Sequence, residues 1–132
     1  EMFMSALCKD DYQLVGKMMK ISHDGDRIKN IQYTDELLDR LAEENADIAL
    51  QSGLYDCSTT QIDELCDLLN DTNGVLGSEL VGAGLGGCVV ALVEETKSES
   101  IIEKINSCYY DKYGFKHSVY KFSASNGSSV IY

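Results

Sequence analysis

Residues 75–93 read VLGSELVGAGLGGCVVALV: two apolar runs separated by the hexapeptide Gly82-Ala83-Gly84-Leu85-Gly86-Gly87. The hexapeptide satisfies G-x-G-x-x-G, a pattern shared by several phosphate-handling loops, so its flanks must decide between them. A dinucleotide-binding fold needs a helix directly after the glycines, with its N-terminus facing the pyrophosphate. Here Cys88–Val93 follows, β-branched and too short for that helix. A protein-kinase loop fits strand–loop–strand, and Val89 even occupies its valine position. However, Val90-Ala91-Leu92-Val93 supplies no lysine, and no H-R-D or D-F-G triplet occurs. What remains is a strand, a glycine loop and a second strand. Such a loop lets backbone approach a phosphorylated ligand and can present successive N–H groups to an anion. It can also serve only as a hairpin turn or as a place where sheet and helix pack closely.

Working outward, strands are expected near 75–81, 88–94, 117–123 and 128–132. Between the second and third, a helix capped by Thr96 and Glu99 carries Ile101, Ile102, Ile105 and Tyr109 and stops at Gly114. Upstream, Ser58 and Gln61 form a capping box for a helix over 60–70 that buries Ile62, Leu65, Cys66 and Leu69 and ends at Asn73-Gly74. Earlier still, helical spacing runs from Thr34 to Leu50. Another helix, capped by Asp10, carries Leu14, Val15, Met18, Met19 and Ile21 and turns at Ser22–Asp26. The opening stretch EMFMSAL reads as the tail of a further helix. This order predicts an α+β layer with a mostly antiparallel four-stranded sheet and helices packed on one side; a split βαβ crossover over 88–119 is compatible with it.

The 132 residues suit a single domain over 1–132, and 44% apolar against 25% charged residues excludes collagen-like and disordered classes. No apolar run approaches a membrane span, and no basic segment precedes an apolar one at the N-terminus, so neither a membrane nor a secretion signal is expected. The chain does not begin with Met and reads as a piece of something longer. Eleven basic against 22 acidic residues, net −11, argue against nucleic acid, which requires clustered Lys and Arg. Five cysteines without a C-x-x-C, and only His23 and His117 as nitrogen ligands, fit neither a disulfide framework nor a zinc site; reduced thiols in a cytoplasmic protein are expected, with no metal ligands in this chain. Asp24-Gly25-Asp26 lacks the remaining ligands of a calcium loop. His23, Cys88 and the trio Tyr109, Tyr110 and Tyr113 read as packing residues.

Three motifs in the same order resemble the GHMP superfamily of small-molecule kinases, and within it the galactokinase branch. Gly77–Cys88 is similar to the superfamily's third motif, Gly16–His23 to a Phe-Gly-x-Leu-Met-x-x-Ser-His helix, and Tyr55–Asp63 to a Tyr-Glu-Val-Ser-Cys-Pro-Glu-Leu-Asp turn. The resemblance implies a ferredoxin-like C-terminal kinase domain with a family-specific helical insertion around 27–53. It implies phosphoryl transfer from ATP, with Mg²⁺, to a sugar anomeric hydroxyl in the intact enzyme. Gly82, Ala83, Gly84, Leu85, Gly86 and Gly87 would then line the nucleotide and substrate cleft, supported by Ser58, Asp63 and Glu79. The family's Gly-Leu-Ser-Ser-Ser loop and its sugar-binding signature are absent, so the catalytic residues belong to an N-terminal kinase domain outside this chain, and the chain alone is expected to be inactive. Glu79 stands where the branch carries a basic residue, and Val81 where it carries Thr; both leave open a non-catalytic sugar or nucleotide sensor, or an interaction domain.

Overall fold

The computed structural model describes residues 1–28, 34–36, 39, 42 and 50–123. The expected strand at 128–132 and nearly all of the Thr34–Leu50 helix and the 27–53 insertion lie outside the described residues.

Two helices open the chain, α1 (Met2–Cys8) and α2 (Tyr12–Asp26). Asp11, not Asp10, caps α2: its carboxylate accepts the Leu14 N–H at 3.0 Å, while Asp10 turns the corner with φ +56°. The helix also runs through the expected turn at Ser22–Asp26 and ends only at Arg27. Gly25 explains the extra turn, because a Cβ there would lie 2.8 Å from the Gly53 nitrogen. Returning chain therefore packs directly on the helix backbone.

Helix α3 (Thr60–Asn70) follows, capped one residue later than the sequence suggests. Thr59 Oγ1 accepts the Ile62 N–H at 3.3 Å, whereas Ser58 is buried and its hydroxyl points at the Thr59 carbonyl, 3.5 Å away. Thr59→Ala is therefore expected to cost about 1 kcal/mol of stability in a urea titration, the usual value of an N-cap. A larger loss from Ser58→Ala would return the cap to Ser58. The helix stops at Asp71, whose φ of −87° is not left-handed; Gly74, at φ +96°, makes the turn into the sheet instead.

Strands β1 (Val75–Val81) and β2 (Cys88–Val93) match the sequence expectation closely and pair antiparallel, with Glu79 opposite Val90 and Val81 opposite Cys88. An irregularity between Val75 and Gly77 shifts the register once. The expected strand at 117–123 does not form: the described residues there make no ladder, and Tyr120 and Phe122 are exposed. Alternating apolar residues become a strand only where a neighbour satisfies their backbone, and among the described residues the sheet is the β1–β2 pair.

After one 3₁₀ turn at Glu95–Lys97 comes α4 (Ser98–Ile105), continued by a π-helical turn (Asn106–Tyr110) and a last α-turn (Asp111–Tyr113) that Gly114 closes at φ +65°. The expected Thr96 cap is not used, because Thr96 lies inside the 3₁₀ turn.

Helices cover both faces of the hairpin rather than one. Ser78 donates to the Cys66 carbonyl at 3.3 Å and to Asn70 Oδ1 at 3.1 Å, so this face of β1 meets α3. On the opposite face Gly77 meets Gly16 of α2, where a Cβ on Gly77 would stand 2.6 Å from the Gly16 Cα. The main core joins Leu65 and Leu69 of α3 to Val75, Ile101, Ile105 and Tyr109, each worth roughly 1.5–3 kcal/mol of burial. Tyr109 contacts Tyr110 and Tyr113 edge-on, as packing residues would. A second cluster, Ala6, Val15 and Met19, packs beneath Leu92.

Candidate functional site

The glycine loop between β1 and β2 departs from ordinary backbone at five of its six positions. Gly82, Gly84, Gly86 and Gly87 have φ between +87° and +122°, and Leu85 sits at φ +61° with its side chain almost fully exposed. A non-glycine residue in the left-handed region costs roughly 1–2 kcal/mol, so something must hold Leu85 there. Its N–H donates to the Cys57 carbonyl at 2.6 Å. Gly84 lies against the same residue: a Cβ on it would stand 2.8 Å from the Cys57 Cβ, with the Cys57 carbonyl oxygen closer still. Gly82 and Gly86, by contrast, have nothing within 4 Å of such a Cβ. The loop is thus braced at its centre and open at its flanks, which leaves room for a ligand to approach the backbone.

The brace is itself held from below. The Cys57 and Ser58 N–H groups both donate to the Asp26 carbonyl, at 3.0 and 2.8 Å, and the Tyr55 N–H donates to the Gly25 carbonyl at 2.7 Å. The last carbonyls of α2, which an isolated helix would leave unpaired, therefore position the turn that positions the loop. Burial and the neighbouring Asp26 carboxylate hold the Cys57 thiol above its ordinary range, opposite to what a nucleophile needs. Cys88, expected to pack inside a strand, is instead exposed at the mouth of β2.

Each supporting residue takes a definite place. Ser58 acts through its backbone N–H and not as a cap. Asp63, in the first turn of α3, accepts the Ile28 N–H at 3.3 Å and approaches His23 Nε2 at 3.3 Å. Arg27 ties the same two helices, pairing with Asp24 at 2.8 Å and reaching Asp67. Glu79 is half-buried, and its carboxylate hydrogen-bonds with Ser22 of α2. Its carboxyl is pushed above the usual range by burial first, with the Asp26 charge adding to it and the Ser22 hydroxyl opposing. Residues that reading the sequence missed are Asp26 and Cys57, which act through carbonyl oxygens and so leave no side-chain signature. Among the described residues no three acidic, histidine or cysteine side chains gather as a metal site, and no helix is long and apolar enough to cross a membrane.

His23 is fully buried, and neither ring nitrogen makes a well-aligned hydrogen bond. Burial lowers its pKa below 6.5, reinforced by Arg27 and only partly opposed by Asp63, Asp24 and Asp26, so the Asp63 contact is made by a neutral imidazole. As pH falls through about 6.5 the unfolded chain takes up a proton that the folded chain refuses, and the stability His23 contributes above that pH is lost. Denaturation midpoints between pH 7.5 and 5.5 are expected to fall more steeply for the native chain than for His23→Gln; equal slopes would contradict a neutral, buried imidazole.

The family described as "GHMP kinases C terminal" matches residues 29–111, more than half of the chain, and the chain belongs to that family. Galactokinases are among its relatives. It is 30% identical over 128 residues, 97% of its length, to the galactokinase of Clostridium beijerinckii, and 44% identical over 62 residues, 47% of its length, to that of Dictyostelium discoideum. It covers 26% and 12% of those proteins, so the chain spans at most about a quarter of the relatives it matches. The structure of Lactococcus lactis galactokinase, solved with galactose, superposes with a TM-score of 0.59 over 86% of this chain and 23% of that one; at 20% identity the likeness is one of fold.

Proposed function

We propose that this chain is the C-terminal domain of a galactokinase-like sugar kinase and supplies one wall of its active site, the Gly82–Gly87 loop. The observation that carries the reading is the loop itself: positive-φ glycines at Gly82 and Gly86 with open space where a Cβ would stand, on either side of Gly84 and Leu85 braced on the Cys57 carbonyl. Such a backbone fits a phosphorylated ligand, because unshielded N–H groups can point at its oxygens. ATP would supply the phosphoryl group and Mg²⁺ would offset its charge, for transfer to a sugar anomeric hydroxyl. The protein's own part here is positioning, in which Leu85 and Gly84 fix the loop against the 55–58 turn. Glu79, turned towards α2, is kept from repelling the phosphates. An N-terminal kinase domain that supplies the phosphate loop and the catalytic residues belongs to the same proposal.

The 132-residue chain alone is expected to release no sugar phosphate from ATP and galactose in a coupled assay, because phosphoryl transfer needs both substrates held and their charge stabilised. Turnover above that of its Gly84→Asp variant would overturn this. In the intact protein, binding of both ligands without product would favour the sensor reading, and release of sugar phosphate the kinase.

A further inference from the structure

A cavity of about 420 Å³ lies between α1, α2 and the chain returning at 51–55, on the face of the hairpin away from α3. Phe3, Met18 and Ile21 form its apolar part, Ser22 and Gln51 its polar part, and Tyr55 also lines it. Its one ionisable carboxylate is Glu79, with the Ser22 hydroxyl beside it. No cation pairs with Glu79 among the described residues, although it is half-buried and feels the charge of Asp26. A half-buried carboxylate beside one hydroxyl and near a second negative charge keeps part of its desolvation cost, which a cationic ligand would offset. The volume is that of a small-molecule site, the aromatic side chains suit a cation, and the net charge of −11 draws cations in.

We propose that this cavity binds an organic cation with an apolar body, its ammonium or guanidinium group docked on Glu79 and its body between Phe3, Met18 and Ile21. The site does not depend on the kinase reading.

The test follows the Met18 and Ile21 methyl resonances of the 132-residue chain during titration with phenethylammonium and with its neutral isostere, phenethyl alcohol. The ammonium is expected to saturate both signals and to bind at least about tenfold more tightly than the alcohol. Glu79→Gln should abolish that preference while leaving the alcohol's affinity unchanged. Met18→Trp, which fills the cavity and keeps the carboxylate, should abolish binding of both. Equal affinities, a preference that survives in Glu79→Gln, or no saturable shift below about 10 mM would each overturn the proposal. An acetylated and amidated Leu-Arg-Leu peptide identifies the source of the cation. Tighter binding than phenethylammonium indicates a side chain from another protein segment, weaker binding a free amine, and either supports the site.

Discussion

Replacing Gly77 with alanine is expected to destabilise the chain by about 3 kcal/mol or more, at the upper end of what overpacking costs. The added Cβ would stand 2.6 Å from the Gly16 Cα and 2.7 Å from its carbonyl carbon, and backbone, unlike a flexible side chain, cannot swing aside. Gly16→Ala meets the same contact from the other side, 2.5 Å from the Leu76 carbonyl carbon. Either substitution must lift α2 from β1, which opens the cluster of Val15, Met19 and Leu92 as well. Because one displacement relieves both collisions, the double variant should lose clearly less than the two single losses combined. A chemical-denaturation series on the three variants checks this. A loss under about 1 kcal/mol for Gly77→Ala would mean that the helix is not seated on the strand.

The second large effect belongs to Gly84. Alanine there combines a φ of +87° with a collision against Cys57, and it also threatens the Leu85–Cys57 hydrogen bond. The expected loss is about 3 kcal/mol, from roughly 1–2 kcal/mol of backbone strain plus the displacement of the 55–58 turn. Gly82→Ala and Gly86→Ala carry the strain without the collision and should cost roughly half as much. If the loop cradles a phosphorylated ligand as proposed, the ranking changes for binding. Gly82 and Gly86 face open space, so their alanine variants should weaken nucleotide affinity in the intact protein out of proportion to their stability loss. Equal stability losses for all three glycines would remove the brace from the account.

Much of this was written plainly in the sequence. The glycine run between apolar stretches defined both strands almost to the residue, since few other residues tolerate φ beyond +80°. The caps were readable only to within one position, because Asp10 and Asp11, or Ser58 and Thr59, are chemically equivalent candidates, and tertiary position chooses between them. The end of α2 lies beyond the expected turn for a related reason. Gly25 looks like a stop signal, and only the return of the chain at Gly53 reveals it as a point of close approach. The segment at 117–123 has strand-like alternation, but pairing is a property of two segments and cannot be read from one. The candidate site was legible where side chains are missing, in the glycines. It was illegible where carbonyls act, at Asp26 and Cys57.

The contact between Gly25 and Gly53 has a consequence for how such a chain can change over time. The stretch that departs after Arg27 comes back to within touching distance of its point of departure, and the hydrogen bonds from Tyr55, Cys57 and Ser58 seal the junction. Closing a loop costs entropy that grows only with the logarithm of its length. Residues can therefore be gained, lost or exchanged for an unrelated sequence between Ile28 and Leu50 at little energetic penalty, and the molecule carries there a grafting point where novelty can accumulate without disturbing what lies beneath.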